Sequence, residues 1–367
     1  MKKNLIIFII AIASLGLISW GSDGHYQISY KCTLSFPVSM SQFMVWRDSL
    51  AIHGSDADDR KSWDPNESMR HFIDIDNYAE FISTGHIVST YDSAVSIHGI
   101  NFVENEGIIP WSTKTMYDSL KLAFQQHDWH AAMLHASDLG HYVGDGHMPL
   151  HITKNYNGQQ TGQTGVHSRY ESDMVYDYVN YLNVYSGDTV HFVNNVQKYI
   201  FDYLYINYTY KDSVLAADLY AQNIAGNHNS SQYYQALFNK SKNFTILLWH
   251  NASHALAELI YSAWVEAGNP IMVTDIYNPF SINTNSIQFY PNPASGLISC
   301  NFSLPHAEKI SVRFFDISGK LVLQKYQDGT SGRNIFAIDM SSLSQGKYNC
   351  IIQTSDSKFS SQILISK

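Results

Sequence analysis

The spacing of apolar residues changes once along this chain, and this change constrains the fold more than any other feature. From about residue 20 to 267, apolar side chains recur at steps of three and four, as between Leu247 and Ile260, which is the spacing of a buried helix face. After residue 288 they alternate in short runs between glycine-containing turns, as in β-strands. We therefore predict a mainly α-helical domain followed by a small all-β sandwich domain.

Length and composition place the boundaries of these domains. A chain of 367 residues is long enough for two cores. Asparagine and proline cluster over residues 276–298, which is typical of a linker followed by turns. We expect the helical domain over 20–275, the linker over 276–287 and the sandwich over 288–367.

The first 19 residues have the pattern of a secretory signal peptide. Lys2 and Lys3 precede an apolar run over residues 5–18, which is shorter than a membrane-spanning helix needs. Ser19 is a small residue that suits the cleavage site. Cleavage after it would make Trp20 the first residue of the mature protein.

Charge and cysteine content exclude several classes of protein. The chain has a net charge of −9 with 45% hydrophobic and 15% charged residues, so intrinsic disorder is excluded. Residues 20–285 hold 13 Lys and Arg against 27 Asp and Glu, a balance that does not by itself attract nucleic acid or an anionic membrane. Three cysteines exclude a disulfide scaffold, and spacing leaves open whether Cys300 and Cys350 pair. The 17 histidines direct the search toward metal.

The candidate metal-binding residues concentrate around one histidine-rich stretch. His141 and Asp145 are four residues apart in a predicted helix, so both side chains project from one face. A proline ends that helix, and His151 can then approach a different ion. Sixteen residues later, His167 and Glu171 repeat the same spacing of imidazole and carboxylate. Together these residues indicate zinc.

The same stretch resembles the zinc-dependent phospholipase C and S-one/P-one nuclease superfamily, and the resemblance extends over residues 20 to about 267. In that family an N-terminal tryptophan binds zinc through its amino nitrogen and carbonyl oxygen, and the opening from Trp20 to His25 fits this role. The resemblance implies three zinc ions. The implied ligands are Asp56, His71 and His141 for one ion, Trp20 and His25 for a second, Asp145 as a bridge between these two, and His151, His167 and Glu171 for the third. Asp58 is the alternative to Asp56.

The chemistry expected of such a site is phosphodiester hydrolysis by a metal-activated water that attacks phosphorus in line. Asp56 is the candidate to orient or deprotonate this water. Arg60 is a candidate phosphate clamp. Phe72 and Asp74 correspond to residues that recognise a base in the nucleases of the family.

The substrate stays open between two classes. The glutamate at position 171 and its distance from His151 are closer to bacterial phospholipase C, which favours a phospholipid substrate. The step from Trp20 to His25 and the residues around His71 are closer to the nucleases, which favours single-stranded nucleic acid or a nucleotide. A non-catalytic zinc-binding surface protein is a third reading. The sequence implies no stable protein partner.

The terminal segment has a resemblance of its own. Residues 288–367 begin with Gln288-Phe289-Tyr290-Pro291-Asn292-Pro293-Ala294 and contain Asp316-Ile317-Ser318-Gly319-Lys320. They resemble the C-terminal sorting domain of type IX secretion substrates of Bacteroidota. This resemblance implies contact with the type IX secretion machinery, and a protein that is secreted or attached to the outer-membrane cell surface.

Overall fold

The computed structural model describes residues 21–182, 184–272, 288–290, 292–304, 306–316, 319–354 and 358–366. The proposed signal peptide 1–19, Trp20, the linker 276–287 and Pro291 of the sorting motif lie outside the described residues. The chain divides into two compact units, Met1–Met272 and Val273–Lys367.

The described part of the first unit is built from α-helices. Their bounds are α1 Gly21–Cys32, α2 Arg47–Ile52, α3 Asp56–Arg60, α4 Ala79–Thr84, α5 Tyr91–His98, α6 Ile100–Asn105, α7 Ile109–Gln126, α8 Trp129–Asp145, α9 Val166–Ser168, α10 Met174–Leu182, α11 Val196–Tyr208, α12 Lys211–Ala225 and α13 Ser231–Glu266. Short 3-10 turns and one π-helical turn, Arg169–Asp173, connect several of them. No helix within the described ranges is long and apolar enough to span a bilayer.

Local sequence explains where the site-bearing helices begin and end. Asp128 caps α8, since its side chain accepts a hydrogen bond from the amide of Ala131. This helix ends at Asp145, four residues before Pro149 begins a 3-10 turn. Ser230 caps α13 in the same way, and α13 ends at Glu266.

Two apolar clusters form the core of the helical unit. The larger one joins α7, α8 and the last turns of α13, and Phe43, Phe124 and Trp264 are among its buried aromatic residues. The smaller one joins α12, the first turns and the middle of α13, and the π-helical turn around Tyr170. The side chains of the candidate metal centre described below come from elements that border both clusters.

The described part of the second unit forms two antiparallel sheets. The strands are β1 Gln288–Tyr290, β2 Leu297–Leu304, β3 Glu308–Phe315, β4 Leu321–Gly329, β5 Gly332–Asp339, β6 Gly346–Gln353 and β7 Lys358–Ile365. Their order is β1-β2-β5 in one sheet and β4-β3-β6-β7 in the other. Ile310, Val312 and Phe314 alternate inward from β3 and share one core with residues of the opposite sheet. Cys300 and Cys350 are both buried there as free thiols.

The predicted order of a mainly α-helical domain followed by a small β-sandwich is confirmed. The described helices end with α13, and burial alternates along β3 and β6.

Candidate metal centre

The last turn of α8 supplies the middle of the candidate site. His141 and Asp145 are both completely buried, and His141 Nε2 lies 3.3 Å from Asp145 Oδ2. One helical turn separates the two residues, so imidazole and carboxylate share a face as the spacing predicts.

A glycine in α8 lets the first helix approach this pair. A Cβ on Gly144 would lie 2.9 Å from His25 Nδ1, so only glycine leaves room for that imidazole. His25 stacks on His141 with ring centroids 3.9 Å apart. The side chains of His25, His141 and Asp145 form one group of potential ligands, called here the His25 cluster.

A second group, the Asp58 cluster, consists of Asp58, His71 and His141. Asp58 Oδ1 lies 3.6 Å from both His71 Nδ1 and His141 Nε2. The same oxygen accepts a hydrogen bond from the Lys61 ammonium at 2.7 Å. His141 belongs to both clusters, so the two groups of potential ligands have this side chain in common.

Asp145 also faces both clusters. Its Oδ1 lies 3.4 Å from His25 Nε2 and 3.5 Å from His151 Nδ1. Its Oδ2 lies 2.9 Å from His71 Nδ1. A carboxylate with imidazoles at both oxygens is in the position expected for the bridging ligand.

The two aspartates of α3 point in different directions in the structure. Asp56, the expected ligand and base, is bonded to His53 Nδ1 at 2.7 Å and its side chain is 43% exposed, away from the clusters. Asp58, the alternative, faces His71 and His141 and is 14% exposed. Residues two apart on a helix point about 200° apart, so only one of the pair can face inward.

The third group, the Glu171 cluster, consists of His151, His167 and Glu171. His151 comes from the 3-10 turn Pro149–Ile152 after α8, and Glu171 comes from the π-helical turn. His151 Nε2 lies 3.2 Å from His167 Nε2 and 3.4 Å from Glu171 Oε1, and His167 Nε2 lies 2.7 Å from Glu171 Oε2. The structure thus brings these three predicted ligands together.

Hydrogen bonds at the far side of each ring show that the donor sets fit metal ions. His141 Nδ1 lies 2.8 Å from the Gly54 carbonyl oxygen, so this nitrogen carries the proton and donates. In the neutral ring, Nε2 then presents a lone pair toward the carboxylates of Asp58 and Asp145. Lone pairs that converge in this way need positive charge between them, which a metal ion supplies.

The Glu171 cluster has the same arrangement. His151 Nδ1 donates to the His71 carbonyl oxygen at 2.7 Å, and His167 Nδ1 donates to the Tyr156 carbonyl oxygen at 3.1 Å. When both rings are neutral, the two Nε2 atoms therefore face each other and Glu171 as acceptors. Two imidazoles and a carboxylate form a donor set that suits zinc.

The electrostatics of this buried region are dominated by the pairs of opposite charge. Burial raises the pKa of Glu171, but the imidazoles of His151 and His167 outweigh it and lower that pKa to about 2. Burial lowers the pKa of His151, yet Glu171 and Asp145 raise it to about 9. The pKa of Asp145 is also held well below its usual range, against burial, by His141 and His151. The carboxylates are thus ionised and ready to bind a cation at neutral pH.

The Nε2 side of the His71 ring faces a layer of charged groups. Its Nε2 lies 3.3 Å from the buried Glu67, whose other contacts include the Tyr142 hydroxyl at 2.6 Å. Arg60 bonds Asp138 at 2.9 Å and Glu67 at 3.3 Å. A carboxylate on the outer nitrogen of an imidazole fixes the orientation of the ring.

A cavity of about 530 Å³ lies against this layer. It is lined by Arg60, Glu67, Arg70, Tyr91, Ile108, Trp111, Ser112, Thr115, Met116, Asp138 and Tyr142. Phe72 and Asp74, both described, are not among these residues. Asp74 lies beside Asp76 and Glu106, and burial together with Glu106 and Asp76 raises its pKa to about 7. Base recognition by Phe72 and Asp74 stays a prediction.

Two pairs of candidate residues could not be found, or were not found, from the sequence. Glu67 is four residues before His71, the same spacing as the two recognised pairs, but it precedes a 3-10 turn in which helical spacing is no guide. His254 and Glu258 in α13 also have this spacing, and His191 joins them in a further group of potential ligands. Spacing could have singled out the pair His254/Glu258, because both residues lie within one regular helix.

Comparison with known proteins gives three results. A search of curated proteins finds no match. Among solved structures, Clostridium perfringens alpha-toxin is 9% identical with a TM-score of 0.45, and the match covers 94% of this chain and 99% of the toxin chain. Clostridium absonum alpha-toxin is 10% identical with a TM-score of 0.40, and here the coverage is 94% and 96%. Residues 288–366 match the secretion system C-terminal sorting domain family. The chain therefore carries the expected sorting domain, and the protein is secreted or attached to the cell surface.

Proposed function

We propose that the helical unit is a zinc-dependent phosphodiester hydrolase of the phospholipase C type. One observation carries this proposal: Asp145 is completely buried and faces imidazoles with both carboxylate oxygens. Such a bridge between two clusters, with a third cluster beside it, is the donor arrangement of a multinuclear hydrolytic centre.

The ligands divide among the clusters as follows. The Asp58 cluster would hold one ion and the Glu171 cluster another. His25 would hold a third ion together with the amino group and carbonyl oxygen of Trp20. Zinc bound there would supply an activated water and positive charge for the phosphoryl oxygens.

The protein's own residues orient the reaction. Asp58 Oδ2 is buried and has no hydrogen-bond partner in the described part of the chain, so it is the acceptor available to align the attacking water and take its proton. Lys61 beside Asp58 Oδ1 adds a positive charge at the same place. Glu67 holds His71 in its orientation. Asp58 thus takes over the role expected of Asp56.

Two observations favour a phospholipid over a nucleic acid. The arginines that line the cavity are already neutralised: Arg60 by Asp138 and Glu67, and Arg70 by Asp64 and Glu67. A nucleic-acid backbone is normally bound by available Lys and Arg side chains. To act as a phosphate clamp, Arg60 would have to release Asp138 and bind the phosphate of the substrate instead.

The second observation concerns the surface around α3. Ile52 and Trp63 flank Asp58 in the sequence and are 67% and 70% exposed. Exposed large apolar side chains near a polar site suit contact with a lipid surface, where tryptophan sits at the level of the headgroups.

A side-by-side assay tests the proposal. Mature protein loaded with zinc should release the phosphorylated headgroup from phosphatidylcholine vesicles and leave single-stranded DNA intact. The chelated protein and Asp145→Asn, whose amide is close to isosteric but uncharged, should both be inactive. Cleavage of DNA without cleavage of lipid would transfer the assignment to the nuclease type, and inactivity on both substrates despite full zinc loading would contradict hydrolase function.

A further comparison tests the lipid contact. Trp63→Ala should lower turnover on vesicles and leave turnover on a soluble short-chain phospholipid unchanged. The exposed Leu122, also a large apolar residue but far from α3 in the sequence, provides the matched control variant Leu122→Ala. Equal losses in the two variants would contradict a specific lipid contact by Trp63.

A further inference from the structure

The long helix α13 carries a group of potential metal ligands outside the three clusters described above. His254 and Glu258 are one helical turn apart, and His191 reaches them from the segment 184–195 before α11. These three side chains, called here the Glu258 cluster, place their ligand atoms within 4.8 Å of one another.

The distances match those of a tetrahedral zinc site. Glu258 Oε1 lies 3.3 Å from His191 Nδ1 and 3.2 Å from His254 Nε2. Ligands about 2.0–2.1 Å from zinc in a tetrahedron are separated by about 3.3 Å. The spacing also repeats that of the Glu171 cluster, where a histidine four residues before a glutamate is joined by a second histidine.

Neighbouring side chains leave the correct atoms available. The Tyr199 hydroxyl donates to Glu258 Oε2 at 2.7 Å, which leaves Oε1 directed at the imidazoles. The Tyr185 hydroxyl lies 3.4 Å from His254 Nδ1, on the side of the ring away from the cluster. Outer hydrogen bonds of this kind fix the orientation of metal ligands.

The backbone holds His191 in place. Its amide donates to Glu258 Oε1 at 3.0 Å, and the amide of Val193 donates to the Ser262 hydroxyl at 2.9 Å. The segment is thus tied to α13 at two points. The His191 side chain is 77% exposed, whereas His254 is 25% and Glu258 8% exposed, so the site opens to solvent on one side.

We infer that His191, His254 and Glu258 bind a zinc ion at the surface of the helical unit, with water in the fourth position. Two imidazoles and one carboxylate with an open position are a donor set that zinc accepts readily. The ion joins the segment 184–195 to α13. Because one face is exposed, this ion is bound more weakly than those of the buried clusters.

Counting zinc in matched variants tests the inference. The full mature chain is equilibrated with increasing free Zn²⁺, and bound zinc is measured by elemental analysis. His254→Gln and His191→Gln should each bind one zinc fewer than the unaltered chain, while His250→Gln, one turn away on α13 and outside the cluster, should bind the same number. Affinity at this site should fall about tenfold or more in the first two variants, since loss of even an outer partner of a ligand costs 10–100-fold.

The result is independent of hydrolysis. All three variants should keep the phosphodiesterase activity of the unaltered chain, because none of these residues belongs to the Asp58, His25 or Glu171 clusters. Equal zinc content in the unaltered chain and in both His254→Gln and His191→Gln would overturn the inference. An equal loss in His250→Gln would overturn it as well.

Discussion

Gly144 lies so close to the His25 imidazole that the side chain of any other amino acid at position 144 would clash with it. A Cβ at this position would lie 2.9 Å from His25 Nδ1 and 3.1 Å from Cε1. Because Gly144 of α8 has no side chain, the His25 imidazole of α1 can reach the candidate metal centre.

The first prediction follows from this contact. Gly144→Ala should displace His25 and remove zinc from the His25 cluster, with a loss of stability of about 1–3 kcal/mol from overpacking. Gly140→Ala is the control: its Cβ would meet Ser29 Oγ and Leu256 Cδ2 at 2.8 and 2.9 Å, which are not ligand atoms. Zinc analysis and thermal unfolding of both variants should show similar destabilisation but zinc loss in Gly144→Ala alone.

The second prediction concerns the two aspartates of α3. Asp58→Asn should lower phosphodiester hydrolysis by about 100-fold or more, since it alters a ligand and not merely an outer partner. Asp56→Asn, which breaks only an exposed contact with His53, should leave zinc content and turnover nearly unchanged. The opposite pattern would restore Asp56 as the ligand.

These aspartates show where inference from sequence stops. The pairs His141/Asp145 and His167/Glu171 could be recognised because the helical repeat dictates that residues four apart share a face. The inward direction of a five-residue helix such as α3 is set by tertiary packing, so the choice between Asp56 and Asp58 has no local signal. The fold class was predictable for the same reason as the pairs, because helical spacing and strand alternation are properties of long segments.

The Glu258 cluster was missed for another reason. Its helical pair, His254 and Glu258, has the same four-residue spacing as the two recognised pairs. The third member, His191, comes from irregular chain more than sixty residues before it. Contacts between an irregular segment and a helix leave no periodic pattern.

The third prediction is the pH dependence of the zinc-free protein. His151 has its pKa raised from 6.5 to about 9, so its contribution to stability is complete below pH 6.5 and is lost as the pH rises through 9. Glu171 has its pKa lowered from 4.5 to about 2, so its contribution is complete above pH 4.5 and is lost as the pH falls through 2. These two groups therefore stabilise the zinc-free protein most between pH 4.5 and 6.5.

Bound zinc should prevent the loss of stability that the zinc-free protein shows as the pH rises through about 9. Binding to the Glu171 cluster requires neutral His151, so proton release should accompany it at any pH below about 9. Calorimetric titration in buffers of different ionisation enthalpy measures the released protons, and thermal unfolding with and without chelator measures stability. Zinc binding at pH 7 without proton release would contradict this account of His151.

The fourth prediction is that the two units function separately. Among the residues whose burial the structure describes, the apolar core of the β-sandwich draws on positions 294–365, and the ligands of the proposed hydrolase all precede residue 172. A chain that ends at Met272 should keep zinc and hydrolytic activity but should fail to be exported to the cell surface or medium. Loss of activity in a folded, zinc-loaded chain of this length would contradict the separation.

The fifth prediction concerns the start of the mature chain. Trp20 lies outside the described residues, but α1 begins beside the metal centre, since a Cβ on Gly21 would lie 3.9 Å from the carbonyl oxygen of Glu171. A free α-amine has a pKa of about 8 and a lone pair that can bind zinc, whereas an amide nitrogen in a continuing chain does not. Two residues added before Trp20 should therefore weaken zinc binding with His25 and lower turnover.

The extension should affect one ion only. Zinc at the Glu171 cluster and the helical circular-dichroism signal should remain, because the ligands there are side chains of residues 151–171. The measurement compares zinc content and phosphodiester hydrolysis for protein that starts at Trp20 and protein with the two-residue extension. Because the extension converts the Trp20 nitrogen into an amide and moves the free amine two residues away, equal zinc and equal turnover would rule out the Trp20 amine as a ligand and would leave His25, His141 and Asp145 to hold that ion alone.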